Sequence, residues 1–395
     1  MSFAVKPPQS RDAIKIAVIC ALTLEASWVR SSMRKIWKKK DIKFGKGAND
    51  ENAYALGVVG SHNIVLAQLA RPESNDGVRV AMALRSDFPQ LAVCFVVGIC
   101  GVVPKHNTTG TEIVLGDSII SGPVIVRSDF GRLYEKGLAR KHEPEETLGR
   151  ASPAIRAFIA ALRTTHTTRD LEKRIINNLK YLGNKADGTK YPGVEKDWLF
   201  PPNYSHQHHP PSSECDQCLS KGKTCKKYCT ELECDKSLLI ARARLNLDNP
   251  LPTHKVHFGR FASADQLPRS GVDRDTMAKE ENVIAFEIAS SGVWDTLPTV
   301  LIKSAADYAD SHKDQDWQTY AAATAAATLA AVLEEWHSMD DDSASGANEN
   351  HGSAPVQAQE LSEESDSEGR FSRIQTYVKH NYNKVGSITG NVTFN

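Results

Sequence analysis

Apolar positions along the chain fall into short solid runs separated by longer stretches of mixed polarity. Ile14 to Cys20, Leu91 to Val97 and Thr299 to Lys303 are runs with few polar interruptions, the pattern of strands buried on both faces. Ala53 to Val59 and His62 to Leu69 flank Gly60-Ser61 and predict a hairpin. Ile113 to Ser121 and Val256 to Ser263 predict two further strands. Helical spacing predicts a helix opening at Ala21 and running to about Lys38, another over Asp76 to Asp87 before Pro89, and helical chain from Ser152 to Leu182. The stretch from Val283 reads as a helix carrying Glu287, a turn at Leu297-Pro298, and the strand that empties into the polar loop Ala306 to His312. The Ala-rich segment Asp316 to Trp336 has high intrinsic helix propensity. Strands alternating with helices predict an α/β layer fold.

The pattern also sets the domain organisation. Residues 12–337 read as one α/β domain, with 185–235 an insertion rich in Pro, His and Cys. Residues 338–369 are acidic and poor in apolar side chains, the composition of a disordered linker. Residues 370–395 regain apolar positions in alternation. Ile388, Val392 and Phe394 share one face of a segment without charge or Pro, which predicts a β-prone motif able to self-associate, with a docking strand or a frayed end as the plainer reading.

Composition narrows the partners. The 395 residues carry 48 Lys+Arg and 48 Asp+Glu, so no excess of charge points to nucleic acid or an anionic membrane. No apolar run approaches the ~20 residues of a spanning helix. The first residues lack a signal-peptide apolar region, and the expected location is the cytoplasm, where thiols stay reduced. Five of the eight cysteines lie between Cys215 and Cys234, downstream of His206, His208 and His209. Cys215, Cys218, Cys225 and Cys229 have a spacing compatible with structural zinc; a lid with reduced thiols, or an ion held by only some of them, is the alternative.

Candidate chemistry sits at strand exits, where open α/β sheets gather their ligands. Glu25 falls in the first turn after the first strand, and Asp307 follows the run Thr299 to Lys303. Each could instead cap a helix. Gly98 and Gly101 follow the run ending at Val97 and permit close approach of a ligand or another chain segment. Glu287 is a ligand contact or a buried partner of Lys303.

Taken together, these stretches resemble the nucleoside phosphorylase and nucleosidase superfamily. The match is closest to the methylthioadenosine/adenosylhomocysteine nucleosidase-like domains of fungal NLR-type proteins. Ile19 to Ala26, Val97 to Gly101, Leu115-Gly116-Asp117 and Ser128 to Gly131 carry the resemblance, with His257-Phe258-Gly259, Ala262-Ser263, Phe286-Glu287 and Asp307 to Lys313. It implies a three-layer α/β/α sandwich around a central mixed sheet, needing no cofactor, forming a homo-oligomer and binding a purine nucleoside or nucleotide. It implies cleavage of the N-glycosidic bond, with Asp307 as acid on the base side and Glu25 as base on the water side. Gly98, Ile99, Leu267, Phe286, Glu287, Ile288 and Lys303 then contact substrate. The superfamily also contains phosphorylases. Here the Val96-Val97-Gly98-Ile99 loop is apolar and Glu25 would repel phosphate, so water is the expected nucleophile. Three positions depart from the family pattern: Ala289 replaces a second carboxylate that grips the ribose, Lys303 replaces an arginine, and Pro268, without an N–H, lies in the stretch that often reads the adenine edge through its backbone. These departures keep open a catalytically weak or inactive nucleoside-binding domain that signals through its C-terminal motif. The resemblance further suggests an NLR-type partner and a role as an immune effector.

Overall fold

The computed structural model describes residues 5–47, 50–129, 131–135, 137–140, 147–208, 215, 225, 227, 229, 231–245, 253–313 and 315–336. The linker 338–369 and the motif 370–395 lie outside the described residues.

Strand β1 (Ile16–Cys20) leads into helix α1 (Thr23–Ser32) and the short β2 (Lys35–Ile36). The hairpin β3 (Tyr54–Val59) and β4 (His62–Gln68) turns at Gly60, and α2 (Ser74–Asp87) precedes β5 (Val93–Val102). Strands β6 (Ser118–Ser121), β7 (Val126–Arg127), β8 (Gly131–Tyr134) and β9 (Gly137–Arg140) follow. The long helical stretch is two helices, α3 (Pro153–Leu162) and α4 (Thr165–Gly183). Each has its own N-cap: Ser152 Oγ accepts from Ile155 N–H with Pro153 in the first turn, and Thr164 Oγ1 accepts from Thr167 N–H. After the insertion come β10 (Val256–Ser263), α5 (Gly271–Glu281), β11 (Val283–Glu287), α6 (Ser290–Trp294), β12 (Thr299–Asp307) and α7 (Gln318–Glu335).

The main sheet runs β11-β10-β6-β12-β5-β1-β4-β3-β2. It is mixed: β1 lies parallel to β4 and β5, and β12 is parallel to β5 but antiparallel to β6. Alternate side chains of each central strand feed two cores. Ile16, Val18, Phe95, Val97, Val300 and Ile302 pack with Trp28 of α1, Ile159 of α3, Leu171 of α4 and the alanines of α7. Ala17, Ile19, Cys94, Val96 and Leu301 pack with Val80 and Leu84 of α2, Ala278 of α5 and Val293 of α6. Helices therefore cover both faces, and the fold is the expected three-layer α/β/α sandwich.

One feature of the sheet places the site. Strand β5 pairs with β1 only as far as Val96, opposite Ile19. Farther on, Gly101 and Val102 pair antiparallel with Phe286 and Ala285 of β11. The sheet thus closes on itself through β5, β12, β6, β10 and β11, and a gap opens where β5 leaves β1.

Three local expectations are corrected. Glu287 lies on a strand, not a helix: Val283 to Phe286 is a fully buried apolar run, and Asn282 in the left-handed region (φ 52°) separates it from α5. Residues 113–117 form a turn rather than the start of a strand, because Asp117 Oδ2 accepts from Val114 N–H at 3.1 Å and the strand begins only at Ser118. Helix α1 stops at Ser32, ahead of β2, instead of running to Lys38. Among the described residues, no helix is long and apolar enough to cross a membrane.

Candidate active site

The gap between β1 and β5 opens into a cleft of about 520 Å³, a volume suited to a small organic ligand. Glu25, Ile99 and Leu267 line it, as do Phe286, Glu287, Ile288, Lys303 and Asp307. These are the residues the sequence pointed to, apart from Gly98, whose part is to make room.

Glu25 is buried, and its carboxylate is held by the main chain. Oε2 accepts from Ala21 N–H at 2.9 Å and Leu22 N–H at 2.8 Å, while Oε1 accepts from Ile99 N–H at 2.8 Å. The capping role foreseen as the plain alternative is thus real, since the bond to Leu22 caps α1. The bond to Ile99 goes further and bridges the gap between β1 and β5. A Cβ at Gly98 would fall on the Glu25 carboxylate. Gly101 is equally constrained, because its Cβ would meet Asp307 Oδ1 at 2.8 Å. The two glycines of Gly98-Ile99-Cys100-Gly101 therefore each make room for one carboxylate of the cleft.

Asp307 ends β12 opposite Gly101, just past a register shift after Ala305 that turns its side chain. Its Oδ1 accepts from Ala309 N–H at 2.8 Å, and its Oδ2 lies 3.4 Å from the Lys313 ammonium. The next residue is anchored at both ends. Tyr308 donates its hydroxyl to Asp197 Oδ1 at 2.6 Å, receives a hydrogen bond from Arg242 at 2.6 Å, and offers its carbonyl to Arg274 at 2.9 Å. Nothing in the spacing of Asp197, Arg242 or Arg274 announced this network; they converge from the chain between α4 and β10 and from α5.

Glu287 and Lys303 form the buried pair foreseen as one alternative, with Lys303 Nζ 3.4 Å from Glu287 Oε2, yet both also line the cleft. Ser290 donates its N–H and hydroxyl to the same carboxylate, at 3.3 and 2.6 Å. Burial disfavours the Lys303 ammonium, but Glu287 and Glu25 outweigh it and raise the pKa. Burial also dominates at Glu25 and raises its pKa, against the opposing pull of Lys303 and the three main-chain N–H groups.

Ala289 is buried at φ 80°, a backbone region costly for a side chain, with its carbonyl packed against Gly77. It does not line the cleft, whose carboxylates besides Glu287 are Glu25, Asp265 and Asp307. Arg269 and Gln318 do line it and were not anticipated. Arg269 directly follows Leu267-Pro268 and was legible from that neighbourhood. Gln318 opens α7 and became legible only once the helix start was known. Three cations near these carboxylates are paired: Lys313 with Asp307, Lys303 with Glu287, and Arg127 with Asp129 at 3.4 Å.

The insertion sorts its cysteines into two groups. Cys215 Sγ lies 3.8 Å from Cys225 Sγ, with His208 nearby. Cys229 faces His206 instead, in the same cluster as Cys234. Cys218 lies outside the described residues. Of the set suggested by spacing, Cys215 and Cys225 thus lie together, while Cys229 lies beside His206 instead.

No family model matches the chain. A nucleotide-binding leucine-rich repeat (NLR)-like protein of Hyaloscypha variabilis is 24% identical over 333 residues, which cover 83% of this chain and 30% of that protein. The chain therefore spans less than a third of that relative's length. Among solved structures, the futalosine hydrolase of Helicobacter pylori is 14% identical, with a TM-score of 0.47 over 83% of this chain and 100% of that one. The 5'-methylthioadenosine/S-adenosylhomocysteine nucleosidase of Neisseria meningitidis, in complex with methylthio-immucillin-A, is also 14% identical, with a TM-score of 0.45 over 81% and 99%.

Proposed function

We propose that the protein is a hydrolase that cleaves the N-glycosidic bond of purine nucleosides or nucleotides, adenine compounds foremost. The observation carrying this reading is the pair of carboxylates, Glu25 and Asp307, seated over Gly98 and Gly101 in one cleft. Departure of a purine leaves positive charge on the ribose and negative charge on the base. Asp307 serves the base by hydrogen-bonding or protonating its imidazole edge, and Glu25 activates water at the sugar carbon. Phe286, Ile288 and Leu267 supply apolar walls for the base and sugar. Glu287, held by Ser290 and Lys303, meets the ribose hydroxyls.

The test is to incubate the protein with adenosine, methylthioadenosine and ATP, with and without phosphate, and to separate the products. Free adenine and a free sugar are expected, at a rate unchanged by phosphate. A ribose 1-phosphate product makes the protein a phosphorylase. Absence of adenine from every substrate supports a ligand-binding domain, the reading favoured by the Lys313 ammonium that already engages Asp307.

The raised pKa of Glu25 gives a pH expectation. A general base works only when deprotonated, so kcat/KM falls as pH drops through its folded-state pKa. Because that pKa is raised, the acid limb should lie above the ordinary glutamate range. A profile that stays flat down into that range would remove Glu25 from the role of base.

A further inference from the structure

We propose that His206, Cys229, Cys234 and His312 form a tetrahedral zinc site that ties the insertion to the loop bearing Asp307. His206, Cys229 and Cys234 belong to the insertion, while His312 follows Asp307 on the far side of the cleft loop. The candidate ligand atoms of His206, Cys234 and His312 all lie within 4.8 Å of one another. His206 Nδ1 is 3.5 Å from Cys229 Sγ and 3.7 Å from Cys234 Sγ. Zn–S bonds of about 2.3 Å and Zn–N bonds of about 2.0–2.1 Å at tetrahedral angles give a sulfur-to-nitrogen edge of about 3.5 Å. The two spacings from His206 are close to that edge. Cys229 lies outside the group of His206, Cys234 and His312, so metal binding would draw its sulfur inward.

The surroundings of the two imidazoles agree. His206 Nε2 lies 2.8 Å from the Lys227 carbonyl. A proton on Nε2 donates there and leaves the Nδ1 lone pair facing both thiols, the arrangement in which a backbone carbonyl orients a metal-binding histidine. His312 shows the complementary pattern. Its Nδ1 faces Ser311 Oγ at 3.4 Å and Asp310 Oδ1 at 3.8 Å. Its Nε2 is buried with no hydrogen-bond partner, although the imidazole side chain is only 2% exposed. A buried ring nitrogen without a hydrogen bond costs free energy that a metal–nitrogen bond would recover. Rotation of the ring is also blocked, since Tyr204 stacks on it at 5.5 Å and Phe200 packs at 4.3 Å. Two sulfurs and two imidazoles with no carboxylate in the set suit zinc rather than calcium or magnesium.

The site does not depend on nucleosidase activity, so its test reads metal directly. The full chain is purified without chelator or affinity histidines, and zinc is measured by plasma mass spectrometry. A Cys215→Ser/Cys225→Ser variant removes the other thiol pair of the insertion. It should keep one zinc per chain, and X-ray absorption at the zinc edge should show two sulfur and two nitrogen neighbours. Adding Cys229→Ser and Cys234→Ser should abolish that zinc. The proposal is overturned if Cys215→Ser/Cys225→Ser is already metal-free, or if zinc persists after Cys229 and Cys234 are replaced. It also fails if intact mass shows these two thiols joined as a disulfide. Should the fourfold variant fail to fold, the neighbour count in the twofold variant still decides, and any sulfur number other than two overturns the assignment.

Discussion

Asp307→Asn is expected to slow base release by between about 100- and 10,000-fold with the fold unchanged. Asn is close in shape to Asp and keeps an oxygen to accept the Ala309 N–H, so the turn after β12 survives. What it loses is the acidic proton that Asp307 would transfer to the base edge and the full negative charge that would accept a hydrogen bond there. It also loses the ion pair with Lys313, which is partly exposed at 24% of its side chain and therefore contributes little to stability. The measurement is adenine release under saturating substrate, beside a thermal unfolding curve. A variant within tenfold of the parent rate would remove Asp307 from the chemistry. A large fall in both rate and unfolding temperature would instead assign Asp307 to the architecture of the loop.

How much of this site could be read from the chain depends on how local each signal is. Glu25 and Asp307 were legible because each follows a buried apolar run by only a few residues, near where the strand must end. Their placement over Gly98 and Gly101 follows from the same logic, since two glycines close to a strand exit leave room for side chains arriving from β1 and β12. Glu287 was found but set on the wrong element. A run as short as Val283 to Phe286 satisfies a buried strand and a buried helical turn equally, and the left-handed Asn282 that decides between them carries no strong sequence mark.

Long-range convergence was not legible. The closure of the sheet rests on β5 bending from β1 toward β11, and no pattern within β5 announces the bend. Tyr308 reads as an ordinary loop aromatic, yet Arg242, Asp197 and Arg274 arrive from three separate stretches to fix it. The cysteine spacing marked a thiol-rich stretch between α4 and β10. It said nothing about which thiols meet in space, and His312, from outside the insertion, could not be inferred from it. Chain spacing constrains metal ligands only when they lie on one rigid element, and here the described chain between α4 and β10 forms only short turns.

Lys303→Met should destabilise the fold by about 3–5 kcal/mol at neutral pH, more than any other single charge removal expected here. Methionine matches the length of the lysine stem, so the packing of β12 against β5 is preserved. The ammonium is the loss. Lys303 is 1% exposed, and without it the buried carboxylates of Glu25 and Glu287 have no cation within the pair. The sign with pH follows from linkage. Glu25 already has a raised pKa, and Lys303 is the main influence holding it down, so the substitution raises it further. A carboxyl group with a raised folded-state pKa favours the folded state while protonated. That stability is lost as pH rises from the unfolded value through the folded one. The deficit of Lys303→Met should therefore be largest at neutral pH and shrink as pH falls toward the ordinary glutamate range. In the parent, the raised Lys303 pKa has the same sign in a higher window: its stabilisation is complete below the ordinary lysine range and lost only as pH rises through the folded value. Urea midpoints for both proteins, at neutral pH and just above the ordinary glutamate range, separate the cases. Equal deficits at the two pH values would mean that packing, not charge, was lost, and equal midpoints at neutral pH would mean that the ion cluster contributes no net stability.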